Sequence, residues 1–315
     1  MARFFGRRPA PADTPGESSV APSGPVRLAV LTMARDEAVL LPKWLGYYGA
    51  QVGVENLYIV DDNSRDGGTD GLACNVLRVP EIRGGQFEVA RSRVLGGLAD
   101  ALLALYDAVL FVDVDEFVVA DPLRFDSLPA FVAEHRNASA VGVLGLNLVH
   151  HLGVEAPLDL SRPVLEQRSL AKFVPIMCKP SLNLSGARWV AASHGIRTAY
   201  EVSPHLWMFH LKFADRDLLE DAATRRLDMV ENFGRSPKSS WSKSGAELVG
   251  LLEEITAQID QGDQVSEFAA PTGQALADLV VRDEKGNHRS PKGGQVEVMR
   301  RRPLVRVPAR FQHLV

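Results

Sequence analysis

The chain has 315 residues, 46% of them hydrophobic and 23% charged, with a net charge of −4. This is enough apolar material for a large core, and the negative balance argues against a nucleic-acid binder, which needs a basic face. Cys74 and Cys178 are the only cysteines, too few for a disulfide framework or a four-cysteine zinc site, so a reducing cytoplasmic setting is expected.

Residues 1–25, "MARFFGRRPAPADTPGESSVAPSGP", lack the apolar core of a signal peptide and are rich in Pro, Ala, Gly and Ser. They are expected to form a disordered tail. "FFGRR" offers a weak peripheral contact to an anionic membrane surface, which would be the inner face. No run approaches the roughly 20 apolar residues of a membrane span. Order begins at "VRLAVLTMARDE", where residues 26–33 read as a buried strand. Asp36 is expected to cap the following helix, with Pro42 in its first turn and Leu40, Leu41, Trp44, Leu45 and Tyr48 along one stripe. "NLYIVDDNSRDGGTD" reads as a strand ending in acids and a glycine turn, and residues 75–79 as a short strand. A helix is predicted over 86–106, with Leu95, Leu98, Leu102 and Leu105 on one face, leading into the strand "AVLFVDVD". This alternation predicts an α/β fold with a mostly parallel central sheet and helices on both faces. Ligands of such sheets bind at the carboxyl ends of the strands, where both acid clusters fall. Further on, "AVGVLGLNLVHH" and "HLWMFHLKF" read as strands, the latter followed by a helix, and residues 246–259 as another helix.

Asp113 and Asp115 are spaced i and i+2, so in an extended strand they share a face. Two adjacent carboxylates repel unless a cation sits near them, and a hard cation that keeps positions open for phosphate oxygens suits the pair. Glu116 is then expected on the opposite face, reaching an acceptor or bracing the site, with Phe117 in the core. Asp61 and Asp62 end their strand where a carboxylate can accept from a ribose hydroxyl or a base N–H.

Together, "LTMARDEAVLLPKWLGYYGAQVGVENLYIVDDNSRDG", "EVARSRVLGGLADALLALYDAVLFVDVDEFV" and "WMFHLKFADRD" resemble glycosyltransferases of the GT-A fold. The likeness is to the family-2-like enzymes and the related domain with a D-x-D-E-F core. It covers roughly residues 26–233, with Ser92 standing where that family carries Asn. It implies a Rossmann-like GT-A catalytic domain over 26–235, followed by a helical or irregular extension over 236–315. It also implies a nucleoside-diphosphate-sugar donor, usually with Mn²⁺ or Mg²⁺, and a glycan, lipid-linked or protein acceptor. Carried over, Thr32, Glu37 and Asp62 line the nucleoside pocket with Asp61 beside them, and Arg91 lies near the nucleotide. Asp113 and Asp115 become the metal and diphosphate acids.

His210, at a strand end, is a candidate metal ligand, as late histidines of the family are, and Lys212 on the same face is a candidate for neutralising the diphosphate. His194 in "ASHGI" is expected in a tight exposed turn, as an acceptor contact, a general base or a plain loop residue. An inverting transfer needs a base, for which Glu201, Asp215 and Asp217 are candidates; Asp217 also reads as a helix N-cap. His150 and His151 cannot both face one site. "SPKSSWSKSG", with Lys238 and Trp241, reads as a linker or a lid. Two rival functions remain. A haloacid-dehalogenase-like phosphatase also uses D-x-D after an apolar strand, with the first Asp as nucleophile. A non-catalytic sugar-nucleotide-binding protein would keep Asp61 and Asp62 but need no metal pair.

Overall fold

The computed structural model describes residues 24–84, 86–190, 193–235, 242–260 and 265–315. Residues 1–23 of the expected tail, and Lys238 and Trp241, lie outside them. In chain order the elements are β1 (Leu28–Ala34), α1 (Leu41–Val52), β2 (Leu57–Asp61), β3 (Asn75–Arg78), α2 (Phe87–Leu102), β4 (Ala108–Phe111) and β5 (Glu116–Ala120). There follow α3 (Leu128–Glu134), β6 (Ala140–Val149), α4 (Val164–Gln167), β7 (Leu170–Phe173), β8 (Leu182–Asn183), β9 (Gly195–Ile196) and β10 (Glu201–Phe213). The chain ends with α5 (Arg216–Phe233), α6 (Gly245–Asp260), α7 (Gly273–Ala277), β11 (Val281–Arg282), β12 (His288–Arg289), α8 (Gln295–Arg301) and β13 (Leu304–Arg306). Among the described residues no helix is long and apolar enough to cross a membrane.

The heart of the fold is a parallel set in the order β3-β2-β1-β4. β1 is covered on both faces, which is why its sequence is a nearly continuous apolar run, broken only by Thr32, rather than an alternation. The crossover through α1 runs from β1 to β2, and the one through α2 runs from β3 back past β1 to β4. Because they travel in opposite directions along the sheet, the right-handed rule for such connections puts helices on both faces of a Rossmann-like α/β core. Beyond β4 the sheet continues antiparallel through β8, β6, β7 and β13, and β10 lies parallel to β6. The C-terminal segment thus contributes its own strand to the main sheet, while β11 and β12 pair with β9 in a small second sheet.

Three local expectations are corrected. Asp36 does not cap α1. It adopts a left-handed backbone (φ 53°) and accepts from Arg65 N at 2.6 Å, while the N-cap is Leu40 without a side-chain bond. α2 stops at Leu102 instead of running to 106, because the chain must turn into β4, and Leu105 is left exposed. Asp113 and Asp115 are not in a strand: residues 112–115 form a turn between β4 and β5. There the chain reverses, so that β5 pairs antiparallel with β10.

That reversal positions the chemistry. Glu116 lies opposite His210 across β5 and β10, and His210 lies opposite Asn147 across β10 and β6. Among the described residues β5 has only β10 as a strand partner, and α1 supplies bonds along its other edge. Tyr48 Oη donates to Glu116 O at 2.9 Å and accepts from Val118 N at 2.8 Å, and Tyr47 Oη donates to Val118 O at 2.7 Å. Tyr48 also stacks on the buried Phe117. Gly145 in β6 explains how the loop after β7 reaches the same region. A Cβ there would stand 2.4 Å from Met177 Cβ, so only glycine lets residues 175–179 pack this closely.

Candidate active site

A crevice opens where the carboxyl ends of β1, β2 and β4 meet the acid turn, with α5 along one wall. It gathers Glu37, Asp62, Arg91, Asp113, Asp115, Glu116, His194, His210 and Lys212 from the residues singled out in the sequence. Their spread along the chain exceeds 170 residues, and the sheet register is what brings them together.

The acid turn is held from inside. Glu116 does not point away from its neighbours: its Oε2 accepts from Asp113 N at 2.9 Å, and its Oε1 accepts from Lys179 Nζ at 2.7 Å. Leu211 N donates to Asp115 O at 2.8 Å, tying the turn to β10. Glu116 is almost fully buried and braces the turn. Asp113 is clasped by Arg91, and its other oxygen lies 3.7 Å from Lys179. Burial alone would raise the Asp113 pKa, but Arg91 and Lys179 outweigh it and hold the carboxyl below its usual range. Burial would likewise depress the Lys179 ammonium, and Glu116 and Asp113 keep it above its ordinary value.

Asp115 has a different environment, so the two acids of the motif do not share a partner. Its Oδ2 lies 3.1 Å from His210 Nε2 and 3.7 Å from Arg226. Burial opposes its charge, yet His210 and Arg226 hold its pKa well below the usual range. His210 Nδ1–H donates to Asn147 Oδ1 at 2.8 Å, since an amide oxygen can only accept. Its Nε2 therefore faces the carboxylate across a gap that suits a proton or a metal cation. The donor pair fits a hard divalent cation. Among the described residues no three His, Cys, Asp or Glu groups converge as a ready-made cage, and such ions often take only one or two carboxylates plus phosphate and water. Lys212, two residues beyond His210, also lines the crevice. Burial pulls its pKa down to about 7, with Arg226 adding to the effect.

At the other end, Asp62 is 1% exposed and already committed. It accepts from Ile82 N at 3.1 Å and from Arg235 Nη1 at 2.5 Å. Arg235 is fully buried against the Phe87 ring, and its Nη2 has no hydrogen-bond partner among the described residues. Gly234, left-handed at φ 64°, ends α5 and turns the chain so that Arg235 follows. Glu37 lies 3.5 Å from Arg225. Burial raises its pKa to about 7, opposed by Arg225 and reinforced by Asp115.

His194 sits in the crevice wall, not in an exposed turn. Its Nδ1–H donates to Ile176 O at 2.8 Å, which leaves Nε2 as an acceptor. Burial, with Lys179 nearby, lowers its pKa to about 4. It follows Ser193, whose left-handed backbone (φ 54°) joins Asp36 and Asn63 as the non-glycine residues of positive φ among those described. All three adjoin crevice residues, where such strain tends to be retained.

Five candidates, Thr32, Asp61, Glu201, Asp215 and Asp217, fall outside the crevice lining. Thr32 is buried within β1. Asp61 serves its own loop, accepting from Ser64 N at 2.8 Å, Thr69 Oγ1 at 2.9 Å and Arg78 Nε at 2.6 Å. Burial opposes its charge, but these bonds outweigh it and lower its pKa. Asp215, not Asp217, is the N-cap of α5, accepting from Asp217 N and Leu218 N. It is 4% exposed and its Oδ2 also accepts from Leu158 N at 2.8 Å, so it is no base for the crevice. Glu201 belongs to a separate cavity beside His205 and Tyr200.

Sequence reasoning missed Lys179, Arg225, Arg226, Arg235 and Gln295, all of which line the crevice. Ala222, Arg225, Arg226 and Met229 share one helical face, so the paired arginines of α5 carried a periodic signal. Lys179 and Gln295 carried none. No protein-family model matches the sequence, and no curated protein matches it. Solved structures that resemble the fold do so weakly. One is a mannosyltransferase from Pyrobaculum calidifontis in complex with GDP-Man and Mn²⁺, at 18% identity over 46% of this chain and 41% of that one, TM-score 0.25. Another is a cytidylyltransferase from Leptospira borgpetersenii, at 13% identity over 43% and 61%, TM-score 0.24. A third is mannose-1-phosphate geranyltransferase from Thermus thermophilus, at 12% identity over 89% and 73%, TM-score 0.28. The chain spans less than two thirds of the length of the first two. At that level of likeness the chemistry rests on the crevice residues themselves.

Proposed function

We propose that this chain is a metal-dependent glycosyltransferase of the GT-A type. It would move a sugar from a nucleoside-diphosphate donor to a hydroxyl of a glycan, lipid-linked or protein acceptor. The observation that carries this reading is the row Asp115–His210–Asn147, a carboxylate and an oriented imidazole facing each other at 3.1 Å within a crevice lined by both acids and cations. Asp115 and His210 would hold Mn²⁺ or Mg²⁺, with Asp113 beyond Val114 on the other side of the turn. When bound, the ion supplies positive charge to the departing diphosphate.

The chain's own groups divide the remaining work. Lys212 and Arg226 donate to diphosphate oxygens and offset the charge that develops there. Arg226 suits this because, among the described residues, its one ion pair is long and its Nη1 lacks a hydrogen-bond partner. Glu37 and the Asp62–Arg235 pair line the nucleoside end. For an inverting transfer, His194 Nε2 is the acceptor for the hydroxyl proton. A phosphatase reading is less well supported, because a nucleophilic Asp113 would need a free oxygen and both of its oxygens face cations.

The test is a panel of sugar nucleotides incubated with the full chain and Mn²⁺, with products identified. Glycosyl transfer, or hydrolysis of the glycosidic bond, releases a nucleoside diphosphate, whereas nucleotidyl transfer from the same donor releases a sugar 1-phosphate. Asp115→Asn is expected to lower turnover by at least about two orders of magnitude. Near-normal turnover in that variant, or no donor cleaved by the wild type, overturns the proposal.

A further inference from the structure

α8 begins 82 residues after the end of β10, yet it touches the two crevice residues of that strand. Gln295 Oε1 accepts from Lys212 Nζ at 2.9 Å, and Gln295 Nε2 lies 3.4 Å from His210 Nδ1. One turn on, Met299 is fully buried and its Sδ accepts from Asn147 Nδ2 at 3.2 Å. That bond decides which way the Asn147 amide faces. With its nitrogen turned to sulfur, its oxygen is turned to His210 Nδ1. The imidazole tautomer, and hence the direction of Nε2 toward Asp115, is set by a helix outside the strand that carries it.

α8 is itself firmly placed. Arg300 Nε bonds Glu254 of α6 at 2.7 Å, and the next element, β13, pairs with β7 in the main sheet. The buried Lys212 ammonium also needs an acceptor, since burial without one is costly. The Gln295 carboxamide provides a neutral one, which leaves the positive charge uncancelled and available to an anion.

We propose that Gln295 is a positioning residue for the anion-holding end of the crevice. Its carboxamide holds the Lys212 ammonium, while Met299 of the same helix orients His210 through Asn147. The C-terminal segment thereby completes the site for a nucleoside diphosphate and its divalent ion. The inference rests on the proposed donor site, and the experiment separates the two.

Binding of UDP and GDP to the full chain is measured by calorimetry with and without Mn²⁺, for wild type, Gln295→Ala, Gln295→Glu and Met299→Leu. Gln295→Ala is expected to weaken Mn²⁺-assisted diphosphate binding about tenfold, the scale of groups that orient a metal ligand. Its unfolding midpoint should fall only slightly, as the buried Lys212 ammonium loses one acceptor, and donor KM should rise more than kcat falls. Met299→Leu keeps the packing, removes the sulfur acceptor and should weaken the Mn²⁺ contribution alone. Gln295→Glu keeps the shape and the acceptor for Lys212 but cancels its charge, so it should fold normally and lose diphosphate binding. Wild-type affinity in both Gln295 variants refutes the positioning role while leaving the donor site standing. No diphosphate binding by the wild type removes the donor site and this inference with it.

Discussion

Replacing Tyr48 by Phe removes one oxygen and nothing else, at a residue with no exposed surface. That oxygen accepts from Val118 N at 2.8 Å and donates to Glu116 O at 2.9 Å. Both backbone groups lie on the side of β5 that has no neighbouring strand among the described residues, so no ladder bond there takes over. A buried N–H left without a partner costs about 1–3 kcal/mol, and the carbonyl loses a further bond worth about 1 kcal/mol. The expected loss is about 2–4 kcal/mol, with no cavity term because the ring remains. For a chain of this size that lowers the unfolding midpoint by on the order of 5 °C. Urea or guanidinium unfolding of wild type and variant measures it directly. Tyr47→Phe is the internal comparison: it removes a single bond to Val118 O and should cost only about 1 kcal/mol. Glu116 begins β5 and braces the acid turn, so Tyr48→Phe should also weaken Mn²⁺-assisted diphosphate binding, whereas Tyr47→Phe should not. A stability change below about 0.5 kcal/mol for Tyr48→Phe would refute the claim that α1 secures the edge of β5 and, through it, the turn.

Two other outcomes follow from the charges in the crevice. Burial raises the Glu37 pKa from 4.5 to about 7, so between those values the folded chain binds more proton than the unfolded one. Stability from this group is therefore greatest below about pH 4.5, falls as pH rises and levels off above about pH 7. Glu37→Gln should gain on wild type by about 1–3 kcal/mol across that window, measured as unfolding midpoints at intervals of pH; parallel curves would contradict it. Arg235→Met leaves the buried Asp62 carboxylate without its bond to Nη1, at a cost of about 3–5 kcal/mol. Pairing it with Asp62→Asn should recover much of that loss in a double-mutant cycle, and additive costs would show that the two side chains act independently.

Much of the α/β frame was legible from local pattern. The nearly continuous apolar run of β1, Pro42 in the first turn of α1 and the stripe through Trp44 and Tyr48 all report short-range preferences that survive in the structure. The acid turn is where local reading failed. "FVDVDEF" has strand composition, and its alternation placed Asp113 and Asp115 on one face and Glu116 on the other. The sequence does not reveal that β5 must reverse to pair with β10, which turns residues 112–115 into a bend and brings all three acids to one crevice.

The amino-acid sequence by itself pointed to Glu37, Asp62, Asp113, Asp115 and Glu116 among the acids of this crevice, and to Arg91 and Lys212 among its cations, because side-chain chemistry and strand-end placement are local properties. Tertiary structure alone decided how they are paired. It gave Asp113 to Arg91 and Lys179, Asp115 to His210 and Arg226, and Asp62 to Arg235, and it set Gln295 against Lys212. The physical reason is that a buried charge takes the nearest available counter-charge or hydrogen-bond partner, and nearness across a sheet depends on register and chain reversal, which no spacing along the chain encodes.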